Sequence, residues 1–246
     1  MKISQRLALS YIRTKLKLLS AVSRKKAAEK AFELFCTPRQ RNKKPLLKIF
    51  DQAEKLHFKI DDITVRGWRW NHPAGKKVLI IHGFESTVVN FDKYIRPLTA
   101  KGYEVLAFDA PAHGRSEGKQ INAPLYKRTI LEINRLYGPI QSYMAHSFGG
   151  LAVCLALEET DHAANHRLVL IAPATETSTA IDSFFKFLQL DPAVRPEFEK
   201  VIIQKGGVGP EWYSIKRAMK HIRAKVLWLH DEEDDTTPVS DVLKVR

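Results

Sequence analysis

Two kinds of apolar pattern alternate along the chain. Leu56–Ile60 and Ile63–Trp70 place hydrophobic residues at every second position, the period of a half-buried strand, and Asp61-Asp62 between them predicts an antiparallel hairpin. Trp68 and Trp70 share one face of the second strand, where packing is the expected role. From Val78 the alternation stops. Val78–Ile81, Tyr103–Phe108 and Arg167–Ile171 are apolar almost throughout, as strands buried on both faces are. Asn90–Ala100 and residues 122–137 have helical period between them, so strand, helix and strand recur, predicting a parallel sheet with right-handed crossovers. Pro139–Met144 reads as another strand, Leu151–Leu157 as the helix after it, and Lys225–Leu229 as a return to the sheet.

The flanking segments read differently. Residues 2–24 predict a helix with Ile3, Leu7, Tyr11, Leu18 and Val22 on one face and Lys2, Arg6, Arg13, Lys17 and Arg24 on another, although Lys15 intrudes on the apolar arc. Two uses are open to it: docking on the protein's own body with the basic face solvated, or lying on an anionic membrane surface. A second helix, Lys25–Phe35, leads to an exposed, proline-punctuated basic connector over 38–45. Residues 174–224 break the strand–helix rhythm with three aromatic-rich amphipathic pieces, Ile181–Leu190, Pro196–Gln204 and Trp212–His221, which predict a small helical cap. The expected organisation is an N-terminal basic helical arm over 1–50 and an α/β domain over 51–246 with the cap inserted at about 174–224.

Charge sharpens this division. Residues 1–48 hold fourteen Lys and Arg against two Glu, so +12 of the net +13 belongs to the arm. The arm has no nucleic-acid-binding motif and no interleaved stacking aromatics, so nucleic acid is not an expected partner. No apolar run is long enough to span a membrane. Arg13, Lys15 and Lys17 interrupt any signal-peptide core. Cys36 and Cys154 form no framework and no Cys/His spacing suits zinc, so no metal or cofactor is expected. The default setting is cytoplasmic, with peripheral contact at the inner membrane face as the arm's second use.

Candidate chemistry centres on Ala145-His146-Ser147-Phe148-Gly149-Gly150, a serine among small residues between a strand and a helix. That is the composition of a nucleophile elbow, where a strained serine exposes its hydroxyl and its neighbours must let strand and helix approach. The plain alternative is a serine capping a helix. Three further motifs appear in order: His82-Gly83-Phe84 after a buried strand; Asp109-Ala110-Pro111-Ala112-His113-Gly114-Arg115-Ser116; and the acidic run His230–Pro238 after the last strand.

Together these four motifs resemble the α/β-hydrolase family, over Leu56 to the end. The resemblance implies an α/β-hydrolase fold with a mostly parallel sheet, helices on both faces and a short cap. It implies Ser147 as nucleophile, Asp234 as the acid that orients a histidine, and the backbone N–H groups of Phe84 and Phe148 as oxyanion hole. His113 and Ser116 would be structural, and His82 and His146 would serve loop shape. In the family the histidine follows the acid after one more strand. Eight residues follow Pro238 and none is histidine, so the last strand, last helix and base are expected beyond Arg246, with truncation preferred over a natural inactive variant. His230 is the best surrogate within the chain. The expected function is serine-dependent hydrolysis of an ester or related acyl bond of a small molecule, this chain itself being poorly active. The alternatives are a non-catalytic acyl-ligand binder and a membrane-surface adaptor.

Overall fold

The computed structural model describes residues 3–41 and 43–245. Lys2 and the Ile3 side chain, both assigned above to faces of the first helix, lie outside what is described. The chain runs α1 (Ile3–Val22), α2 (Arg24–Cys36), β1 (Glu54–Ile60), β2 (Ile63–Trp70), β3 (Lys77–Ile81), α3 (Asp92–Ala100) and β4 (Glu104–Phe108). It continues with α4 (Ala123–Tyr137), β5 (Ser142–His146), α5 (Phe148–Leu157), β6 (Arg167–Ile171), α6 (Thr177–Leu188), α7 (Arg195–Gly206), α8 (Ile215–Ala218) and β7 (Lys225–Leu229).

The strands form one sheet in the order β1-β2-β4-β3-β5-β6-β7. The β1–β2 and β2–β4 pairs are antiparallel and the rest parallel, so the sheet is mostly parallel and open. Hairpin β1–β2 turns at Asp61, whose φ of 51° suits an Asp better than a bulky residue. Trp68 and Trp70 point to one side and meet Phe50 edge-to-face at 5.3 Å, with Trp70 Nε1 donating to the Ile49 carbonyl at 2.8 Å. At the centre, Val78–Ile81 of β3 and all of β4 are buried, which explains why both are apolar except at Glu104, whose carboxylate is met by His72 and Ala74 N. Helix α5 is apolar all round because Gly149 through Leu157 are buried on every side.

Two compact units emerge: residues 1–37 with 176–214, and 38–175 with 215–246. The sequence reading joins the connector to the N-terminal helices and gives the cap 174–224. In the structure the connector belongs with the sheet. Arg39 makes three hydrogen bonds to the Glu85 carboxylate, from its backbone N–H at 2.7 Å and from its guanidinium at 2.7 and 2.9 Å, Lys44 reaches Asn90 Oδ1 at 2.6 Å, and Arg41 donates to the Gly118 carbonyl. The expected exposed connector is therefore pinned by its own charges. The expected amphipathic piece Trp212–His221 is split at Ser214, where Ile215 N bonds to Thr175 O at 2.8 Å and α8 packs on α5.

In the first unit α1 packs on α2 and α6, and α2 on α7. Phe198 is fully buried among Phe32, Phe35, Phe184 and Phe185, with ring centroids 5.3–6.2 Å away. The face of α1 that docks is not the one picked out above. Leu16 is buried and Leu9, Ile12 and Leu19 are half-buried, whereas Leu7, Tyr11, Leu18 and Val22 face solvent. The two stripes differ in continuity. Leu9, Ile12, Leu16 and Leu19 recur every three or four residues without a break, while Thr14 and Lys15 interrupt the other stripe.

Candidate active site

Strand β5 runs to His146, further than the expected Pro139–Met144, and the chain must reverse in one residue to begin α5. Ser147 makes the reversal at φ 51° and ψ −125°. A residue with a Cβ holds such a conformation only when its surroundings impose it. Ser147 N–H donates to the Ile171 carbonyl at 3.1 Å, and its own carbonyl accepts from Gly150 N at 2.8 Å and Ala174 N at 3.0 Å. Its Oγ has no hydrogen-bond partner among the described residues. The glycines are required by close approach. A Cβ on Gly149 would lie 2.5 Å from the His82 carbonyl oxygen, and one on Gly83 would lie 2.8 Å from Ser147 Cβ. So α5 begins at Phe148 rather than near Leu151, tight against the loop that leaves β3.

That loop, His82 to Ser86, is held from beneath by a buried polar cluster. His82 Nδ1 donates to the Gly83 carbonyl at 2.7 Å, so Nε2 accepts from Ala110 N at 2.9 Å, and Tyr126 Oη donates to the His82 carbonyl at 2.8 Å. Burial pushes the His82 imidazole below its ordinary range, and the Asp109 carboxylate offsets this only in part. Asp109 accepts from Thr87 Oγ1 at 2.7 Å, Val88 N at 3.0 Å and Arg115 N at 2.8 Å. His113 Nδ1 donates to the Pro111 carbonyl and Nε2 accepts from Glu85 N, each at 2.9 Å. Burial, then the neighbouring His82, brings its pKa down to about 4. Ser116 Oγ donates to the Asp109 carbonyl at 2.5 Å and accepts from Arg66 N at 2.9 Å. The Asp109–Ser116 motif is thus a splint for the loop that carries Phe84.

Phe84 and Phe148 meet edge-to-face with centroids 6.2 Å apart, and Phe148 also lies against Tyr126 at 5.6 Å. Neither the Phe84 N–H nor the Phe148 N–H, the latter the first of α5, meets an acceptor among the described residues.

Asp234 is half-buried in the loop after β7. Its Oδ1 accepts from Thr236 N at 2.9 Å and Thr237 N at 2.8 Å, and its Oδ2 from Thr237 Oγ1 at 2.9 Å. Burial opposes its ionisation, but these hydrogen bonds outweigh burial and hold the carboxyl below its usual range. Thr237 Oγ1 also lies 3.3 Å from the Ala172 carbonyl, while Ala172 N bonds to Leu229 O at 2.8 Å, tying the loop to the end of β6. Asp234 lies within electrostatic reach of His146, raising a pKa that burial, the larger influence, still leaves lowered. No histidine among the described residues hydrogen-bonds to Asp234. His230 is engaged elsewhere, its Nε2 donating to the Thr237 carbonyl at 2.5 Å. Asp231, Glu232 and Glu233 instead line an open depression with Ile171, Ala172, Leu229 and His230. Among the described residues no three His, Cys, Asp or Glu side chains come together to hold a metal ion.

Sequence reasoning did not find the two threonines that orient Asp234, nor the Arg39–Glu85 pair beside the loop. Asp-x-Thr-Thr is a readable signal, since an Asp side chain commonly caps the N–H groups two and three residues on. A pair separated by 46 residues has no local signature.

Comparison with known proteins joins these observations. A family model described as serine aminopeptidase, S33 matches residues 72–208, more than half of the chain, and spans the Phe84 loop and the Ser147 elbow. The uncharacterized hydrolase YugF of Bacillus subtilis is 27% identical over 109 residues, and that match spans 42% of this chain and 40% of the relative's length. The Pyrococcus furiosus esterase Pf2001 superposes with a TM-score of 0.58 at 20% identity, covering 85% of this chain and 82% of that one. The Paleococcus ferrophilus monoacylglycerol lipase does so with a TM-score of 0.55 at 25% identity, covering 74% and 82%.

Proposed function

The chain belongs to the serine aminopeptidase, S33 family of α/β-hydrolases, and on that premise we propose that it hydrolyses an ester or related acyl bond through Ser147. The observation that carries this reading is Ser147 Oγ, held at φ 51° with no hydrogen-bond partner among the described residues, beside two N–H groups that meet no acceptor among them either. Ser147 Oγ attacks the acyl carbon while a histidine oriented by Asp234 takes its proton. The carbonyl oxygen becomes an oxyanion and accepts from Phe84 N–H and Phe148 N–H. Collapse expels the alcohol, which recovers the proton, and water then releases the acid from Ser147 by the same route in reverse. Each oxyanion donor is worth about 3 kcal/mol in such sites.

An ester fits the surroundings better than a peptide with a free amino terminus. Such a peptide calls for a carboxylate free to meet its ammonium group, and the one carried by the Phe84 loop, Glu85, is already bridged by Arg39. The rings beside Ser147 are apolar, and the Paleococcus relative bears the name of a lipase for monoacylglycerols. A second reading, an acyl-ligand binder without turnover, draws on a different observation: Asp234 is bonded to Thr236 and Thr237 and to no histidine among the described residues.

A fluorophosphonate probe on the native gene product separates the two. The hydrolase reading expects one adduct by intact mass, mapped to Ser147 and absent in Ser147→Ala, with p-nitrophenyl ester turnover falling at least about 10⁴-fold in that variant. No adduct on the wild type, together with retention of a fatty acid, favours the binder.

A further inference from the structure

Helix α1 carries two apolar stripes, and only one is covered. Leu9, Ile12, Leu16 and Leu19 form the docked stripe. Leu7, Tyr11, Leu18 and Val22 are 67%, 67%, 65% and 84% exposed. At 3.6 residues per turn these four fall within an arc of roughly 60° and run the length of the helix. Lys15 borders the arc on one side, and Arg6 and Lys17 lie roughly 80–100° away on the other, all three exposed. The helix contains no acidic residue. Just past Val22, Arg24, Lys25 and Lys26 are exposed as well. Arg13 is different: its guanidinium donates to the Phe187 carbonyl at 2.5 Å and sits over the Phe187 ring, so it serves the packing of this unit.

We propose that this face of α1 docks on the surface of an anionic lipid bilayer, with Leu7, Tyr11, Leu18 and Val22 entering the boundary between headgroups and acyl chains. Lys15, Arg6 and Lys17 lie along its flanks, where their stems cover apolar surface while their charges meet lipid phosphates. Arg24, Lys25 and Lys26 add attraction at one end, each basic residue near such a surface contributing about as much as a weak salt bridge. Tyr11 has the amphipathic ring favoured at that depth. Charge decides between occupants. A second copy of this face would bring two clusters of cations together with no carboxylate on α1 to separate them, whereas an anionic bilayer supplies apolar depth and negative charge at once. Docking of this face is independent of the chemistry at Ser147, and no helix among the described residues is long and apolar enough to cross the membrane.

The test is co-sedimentation of the full chain with vesicles of phosphatidylcholine alone or mixed with phosphatidylglycerol, at low and raised salt. Binding is expected with the mixed vesicles only and weaker in salt. The Leu7→Gln/Leu18→Gln variant should bind about tenfold more weakly or worse, as should Lys15→Glu/Lys17→Glu. All four residues are exposed, so thermal unfolding of both variants should match the wild type. If the leucine variant binds vesicles like the wild type, the attraction is charge alone and the docked stripe is refuted. Absence of vesicle binding refutes it too, and a concentration-dependent dimer lost in the leucine variant would assign the stripe to a copy of the chain.

Discussion

Ser147 and Asp234 stand at the ends of strands two apart in one sheet, yet they are held in opposite ways. Around Ser147 everything is close-packed: β5 lies between β3 and β6, the residues behind it are buried, and the glycines leave no room for a Cβ. Around Asp234 the support is local. Thr236 and Thr237 supply its hydrogen bonds, and among the described residues β7 pairs with β6 alone, leaving Leu227 and Leu229 55% and 47% exposed. A nucleophile must be kept in a strained backbone conformation, which takes tertiary packing from several directions. A carboxylate needs only to be oriented, and a short loop can do that with its own donors. The elbow is therefore where substitutions should damage stability and chemistry together, and the acid loop where the two should separate.

The sharpest test of that separation is Asp234→Asn in the native gene product. Ester turnover should fall about 10⁴-fold, as for other triads whose acid is made an amide, while the midpoint of thermal unfolding stays close to wild type. Unfolding of the variant would break the comparison.

Acid should act on the elbow side first. Above about pH 6.5 His113 is neutral both folded and unfolded, so its contribution is complete. As the pH falls, the unfolded chain takes up a proton that the folded one refuses until about pH 4, and stability declines through that window. The loss should reach roughly 3 kcal/mol at its lower end, read by urea unfolding at a series of pH values. A flat profile would show that the splint does not hold a neutral imidazole.

Gly149→Ala drives a methyl into the His82 carbonyl and should destabilise by about 2–3 kcal/mol, measured by denaturant unfolding. Thr237→Ala removes one of the three hydrogen bonds on Asp234 and should cost only about 1 kcal/mol, with turnover shifted to higher pH as the carboxyl pKa rises. If the two variants destabilised equally, the contrast between packed elbow and open loop would fail.

Much of this was written in local pattern. Alternation in Leu56–Trp70, the apolar runs Val78–Ile81 and Val105–Phe108, and the glycines after Ser147 each follow from a constraint that acts within a few residues: strand period, burial on two faces, a tight turn. The structural roles of His113 and Ser116 were less direct, and became legible only when four motifs were taken together, and the strand order came from the structure alone. Asp234's threonines were legible in principle and passed over.

What the sequence alone determined is the kind of element each segment forms and the set of side chains available at the sheet's carboxyl end. Tertiary structure decided which surfaces those elements show. It set one of the two apolar stripes on α1 against α2 and α6, held the exposed basic connector by one ion pair and two side-chain hydrogen bonds, and grouped residues 1–37 with 176–214. Periodicity reports that a helix has an apolar face. Which face is buried depends on what the rest of the chain brings against it, and that is a property of the assembled fold.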